Sequence, residues 1–232
     1  MADLPSPRVI PVRPFNSTGV DYAGPVMLRT TPGRGHKSTK AFFVVFVCMV
    51  TKAVHLDVAS SYSGEGFLAV FRRFVSRRGL CAEIYSDCGT NFVGADAELR
   101  RMFAAHSRES HIIGRELAES RVQWRFNPPS APHFGGLWEA AVKATKHHLR
   151  RIIGNATFTY EEMATLLTQI EACLNLRPLS ALSDDPADLT ALTPGHFLID
   201  SALKAVPEPL LLDVTMSRLS RWQQLLQMRD HF

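Results

Sequence analysis

The sequence predicts an α/β fold: a mixed five-stranded sheet with helices on its faces. Three observations carry it. Three strand-like segments come first, at about Val20–Thr30, Ala41–Val50 and Ala53–Ala59, close enough in the chain to form an antiparallel meander. The hydrophobic period then changes from strand to helix at Gly66–Arg78. Beyond it, two short strands alternate with helical stretches, the arrangement that yields strands joined through helices.

The elements are justified in order. The Pro-rich opening, PSPRVIPVRPF, reads as an extended arm over residues 1–17. TPGRGHKSTK carries the Gly and basic residues of a hairpin loop. AFFVVFVCMV is apolar throughout, as a strand buried on both faces requires, and is too short to span a bilayer. In GFLAVFRRFVSRR the apolar residues Phe67, Val70, Phe71, Phe74 and Val75 make a helical stripe, closed by Gly79. A strand at Ala82–Ser86 runs into Asp87, and one or two helices fill Asn91–Ser120. Val122–Phe126 is the fifth strand, ended by Pro128, Pro129 and Pro132. Long helices follow at Gly136–Ile153 and Tyr160–Asn175, the second opened by Thr159 with Glu162 three residues on, a capping box. The core therefore spans 18–180. Residues 181–232 read as an extension or linker with a helix at Ser217–Arg229.

Composition narrows the class. Hydrophobic residues make up 46% and charged residues 21%, which excludes a disordered chain. The first residues lack a signal peptide's apolar stretch, and the four cysteines form no C-x-x-C pair, so a reduced, intracellular chain is expected. Cys48 and Cys173 sit among apolar residues and read as core. The net charge of +4 permits a polyanionic partner without demanding one.

Three acids fall where chemistry can gather. Asp21 lies in the first strand, Asp87 at the end of the fourth, and Glu139 near the start of a long helix. If strands one and four are neighbours, Asp21 and Asp87 face each other, and a helix crossing that edge brings Glu139 to them. Three converging carboxylates need a cation, and an all-oxygen set favours Mg²⁺ or Mn²⁺ over zinc. Two such ions can activate an attacking oxygen and stabilise the leaving oxygen of a phosphodiester. Against this, the chain has 22 acids, most acids are solvated, and a chance trio is cheap. Gly24-Pro25 after Asp21 and Cys88-Gly89-Thr90 after Asp87 predict turns beyond each acid. His133, Phe134 and Gly135-Gly136 ahead of Glu139 suit a loop over the edge, or an ordinary strand-to-helix connection. Glu139, Lys143, Lys146 and Arg150 share one helix face, and Val142, Thr145, Leu149 and Ile152 another. The basic stripe can meet phosphates; taken alone, it is more readily what a solvated amphipathic helix with a Glu139–Lys143 pair carries. Nucleotide-binding loops of the G-x-x-x-x-G-K-[ST] and G-x-G-x-x-G types and the G-x-S-x-G elbow are absent. A thiolate at Cys88 is disfavoured beside Asp87.

The strings VDYAGP, FVCMVTKAVHLDV, FRRFVSRRG, YSDCGTNFVGA, PPSAPHFGGLWEAAVK and LTPGHFLI resemble the integrase catalytic core of Bel-Pao type retrotransposons, within the retroviral integrase superfamily. The similarity runs from about Gly19 to Ile199. It implies a ribonuclease H-like fold and a D,D,E triad at Asp21, Asp87 and Glu139, with a longer second gap than is usual in retroviral relatives. It implies metal-dependent processing of element DNA 3′-ends and their strand transfer into target DNA, in the nucleus, by a homo-oligomer. Two positions depart from the pattern: Cys88 stands where Asn is usual, and Leu176 where Ser is usual. The upstream His-His-Cys-Cys zinc module is missing, so a fragment of a longer polyprotein is expected. The alternative is a catalytically retired, domesticated remnant that binds DNA or protein.

Overall fold

The structure is a computed structural model that describes residues 10–31, 37–109, 122–126, 136–154, 156–185, 187–204 and 206–232. Among them, five strands form one sheet: β1 (Ser17–Arg29), β2 (Ser38–Cys48), β3 (Val54–Ala59), β4 (Glu83–Ser86) and β5 (Gln123–Phe126), in the order β3-β2-β1-β4-β5. β1, β2 and β3 pair antiparallel, and β4 lies parallel to both β1 and β5. The expected α/β architecture is therefore present, and strands one and four are neighbours.

Helices cover both faces. On one side lie α1 (Gly64–Arg78) and α2 (Thr90–Glu109), and on the other α3 (Gly136–Ile153) and α4 (Tyr160–Asn175). The apolar run of β2 serves both layers. Phe43, Val45 and Val47 pack toward α3 and α4, while Val44, Phe46 and Cys48 pack toward α1. This explains why the run does not alternate. Phe46 stacks on Phe74 of α1 at 4.2 Å.

Local chemistry sets the element ends. Ser63 caps α1 through Gly66 N–H at 3.1 Å, so the helix starts at Gly64, ahead of its apolar stripe. Gly79 closes it at φ +83°. Thr159 and Glu162 form the expected capping box of α4. Gly24-Pro25 does not turn the chain as the sequence suggests: β1 continues to Arg29, and the β1–β2 register shifts between Ala23 and Val26, a bulge. Gly24 is required there, since a side chain would press on Phe42 and the Ala41 carbonyl at a φ of +131°. The segments holding Arg34 and Pro128–Gly135 lie outside the described residues.

The sheet edge at β3 is bound by side chains. Asn175 accepts from Val54 N–H and donates to Val54 C=O, each at 2.8 Å. Glu171 accepts from Leu56 N–H at 2.8 Å, and Asp57 from Val58 N–H at 2.7 Å. Arg73 donates to both Asp57 and the Val58 carbonyl.

The described segments at either end of the chain pack against the core. Phe15, ahead of β1, is fully buried against Phe74. After α4 come a two-stranded ribbon, β6 (Ser180–Ala181) with β7 (Ala191–Leu192), the short α5 (His196–Ile199) and α6 (Arg221–Asp230). Leu225 and Met228 of α6 join the α3–α4 core, and Arg221 pairs with Glu162. Cys173 corrects the reading of it as core: Met163, Leu166, Leu167 and Ile170 define the buried face of α4, and Cys173 is turned away to solvent.

Candidate functional site

Asp21 lies in mid-β1, where alternation places Val20 and Tyr22 toward α1 and Ala23 toward α3. Asp21 therefore belongs to the α3 face. On β4, Ile84 faces α1 and Tyr85 packs on the α3 side, so the same alternation puts Asp87 on the α3 face. The parallel register ends at Gly19 opposite Tyr85; β4 stops at Ser86, and Asp87 is the next residue, so carrying the register two residues further would put Asp87 opposite Asp21. Neighbouring strands stand about 4.8 Å apart. Asp21 and Asp87 thus lie toward the same end of the β1–β4 seam, and the Asp87 charge acts on Asp21.

Each is held locally. Asp21 Oδ1 accepts from Tyr22 N–H at 2.6 Å, and its Oδ2 accepts from Lys146 Nζ at 2.8 Å. Asp87 is exposed and accepts from Gly89 N–H at 3.1 Å, just before α2 begins. Gly89 is sterically fixed: a side chain there would strike Asn91 Oδ1 at 2.6 Å and meet Asp87 Oδ1 at 3.1 Å. Burial raises the Asp21 carboxyl above its ordinary value, and the Asp87 charge adds to that rise. The hydrogen bond and charge of Lys146, with the Tyr22 N–H, offset part of it.

The α3 face divides as its pattern predicts. Val142, Thr145 and Leu149 are buried against the sheet, while Lys143 and Arg150 are exposed. Asp21, Val142, Lys143, Lys146, His147 and Arg150 line one cleft. Lys146, one of the residues expected to meet phosphates, has its ammonium engaged by Asp21. Glu139 falls in the first turn of α3, and its side chain lies outside the described residues. Among the described residues no three His, Cys, Asp or Glu side chains form a metal-sized group.

Two aromatic residues beside the carboxylates escaped sequence reading. Tyr62, half exposed, packs edge-on to Tyr22 at 4.9 Å and lies 5.2 Å from the Phe42 ring. Burial raises its phenol, and the charges of Asp87 and then Asp21 raise it further. Tyr22 is buried, and its phenol stands well above the ordinary value chiefly for that reason, with Asn91 offsetting part. The adjacency of Tyr22 to Asp21 was a usable signal. Tyr62 sits in SSYSG, a loop without periodicity, and gave none.

The donor set suits a hard divalent cation as far as the described residues extend. Asp21 and Asp87 both offer carboxylate oxygens, and a cation, the Lys146 ammonium, already sits on Asp21.

Fold and seam together define a ribonuclease H-like α/β protein with two acids at the junction of its antiparallel and parallel strands. The chain is similar to a chain of the cryoEM structure of the simian T-cell lymphotropic virus intasome in complex with PP2A regulatory subunit B56 gamma. The TM-score is 0.50 at 14% identity, over 88% of this chain and 62% of that one. At this identity the likeness is one of fold. No protein-family model and no curated protein matches the chain. No helix among the described residues is long and apolar enough to cross a membrane.

Proposed function

We propose that this chain is the catalytic core of an integrase of the Bel-Pao type, which processes element DNA 3′-ends and transfers them into target DNA. The observation that carries this reading is that Asp21 of β1 and Asp87, directly after the neighbouring parallel strand β4, interact by charge, beside a helix whose Lys146 reaches Asp21. The likeness in fold to an intasome chain supports it. Asp21, Asp87 and Glu139 hold Mg²⁺ or Mn²⁺, two ions in the full site. Bound there, such ions supply activation of the attacking oxygen and stabilisation of the leaving one. In processing, water breaks a phosphodiester and leaves a 3′-hydroxyl. In transfer, that hydroxyl forms a new bond to a target phosphorus while the target's own 3′-oxygen departs. Lys143, Lys146 and Arg150 fix the DNA backbone by its phosphates and add no sequence information. The chain works on nuclear DNA as a homo-oligomer.

The exposed Cys88 beside Asp87 favours one other reading, a retired domain that still binds DNA or protein. The test is Mn²⁺- or Mg²⁺-dependent cleavage and rejoining of a branched DNA that mimics an integration product. The chain is expected to resolve it, and Asp87→Asn to lose the activity by at least about a hundredfold. Metal binding without rejoining by the intact chain would leave the integrase reading without its reaction. Absence of both would favour the retired domain.

A further inference from the structure

Both oxygens of Asp21 are engaged: Oδ1 by the Tyr22 N–H, Oδ2 by the Lys146 ammonium. The Tyr22 contact is local to β1. The Lys146 contact crosses from α3 to the sheet, and both side chains are largely shielded from solvent, 27% and 29% exposed. Lys146 is thus the counter-charge that offsets part of the cost of burying Asp21 beside Asp87. A divalent cation bound at Asp21 would stand a few ångströms from that ammonium. Like charges at such range repel by at least an amount comparable with the attraction being given up, and more strongly where water is partly excluded. The two cations therefore compete for the carboxylate.

We propose that Lys146 is an exchangeable counter-cation: it occupies Asp21 in the metal-free protein, and divalent metal displaces it into the adjoining cleft, where it becomes a phosphate contact. This rests on the metal-binding reading above and deepens it. In that cleft the freed ammonium joins Lys143 and Arg150, a cluster of cations that a bound phosphate neutralises. Metal loading then creates a DNA-binding charge that the metal-free protein lacks. By linkage, DNA that captures Lys146 tightens metal binding in turn.

Two readouts independent of catalysis test this on the 232-residue chain. Free Mn²⁺ is followed by electron paramagnetic resonance during titration of wild type, Lys146→Met, Lys146→Gln and Lys146→Arg. The two neutral variants are expected to bind Mn²⁺ roughly five- to tenfold more tightly than wild type. Lys146→Arg, which keeps the charge, is expected at or below wild-type affinity. Binding of a short duplex DNA is then measured against salt, with and without Mn²⁺. The wild-type slope should steepen by about 0.9 when metal is added, one more phosphate contact, and the neutral variants should show no such change. Wild-type binding with equal or weaker affinity in both neutral variants overturns the exchange and leaves the metal site standing. No Mn²⁺ binding by any variant overturns the exchange and the metal site together.

Discussion

Lys143 and Arg150 differ from Lys146 in a way that only their surroundings reveal. They share its helix face, yet both are exposed, while Lys146 spans to β1. For Lys143→Ala, the proposed phosphate contact predicts a salt slope for DNA binding shallower by about one contact, with affinity lost evenly across sequences. Competition binding on two unrelated duplexes checks this, and an unchanged slope removes Lys143 from the interface. The positions of Asp21 and Asp87 were legible because strand parity and the order of elements leave few arrangements of neighbouring strands. The Lys146–Asp21 pair was not, since it depends on how α3 lies across β1, far away in the chain. Cys173 shows the opposite failure. Apolar neighbours in sequence suggested burial, but on a helix the direction of each side chain is set by period rather than by neighbours.

Among elements, α4 does more than fill the core. Glu171 is buried near the end of the helix, with Leu56 N–H, Arg78 and His55 around it; His55 Nδ1 is 3.0 Å from its Oε2. Burial alone would raise this carboxyl. The close approach of His55, the Leu56 N–H and the Arg78 charge outweigh it and leave the group below its ordinary value. A carboxyl depressed on folding contributes stability that is present above the unfolded value of 4.5 and is lost as pH falls through the folded one. Glu171→Gln is therefore expected to destabilise the protein by on the order of 3 kcal/mol near neutrality, and by progressively less in acid, well below 4.5. Urea unfolding at neutral and at acid pH measures it, and a difference that does not shrink in acid would contradict this account. The helix itself was plain in the sequence, from its capping box and apolar stripe. The purpose of Glu171 was not, because an acid on a helix near an apolar stripe usually faces water. The Gly24-Pro25 bulge was misread for a related reason: turn-favouring residues report local backbone needs, and a bulge inside a strand has the same needs as a turn.

For the whole molecule, the layered core followed from hydrophobic period, whereas the region after Pro178 did not. That region is held by contacts that leave no periodic trace. Arg221 binds Glu162 and the Thr157 carbonyl, and Gln227 donates to the Leu211 and Val214 carbonyls. Leu225 and Met228 complete the packing over α3 and α4. Leu225→Ala is therefore expected to lower stability by about 2–5 kcal/mol and to do so in a single unfolding transition. A change under about 0.5 kcal/mol would mean α6 is peripheral to the cooperative unit. The bound edge at β3 has its own consequence for assembly. Strand addition needs a row of vacant outward donors, yet the N–H groups of Val54, Leu56 and Val58 are all already taken by side chains. Another polypeptide cannot join there as a sixth strand unless α4 is first lifted away, so self-templated aggregation through this edge is suppressed while α4 stays folded.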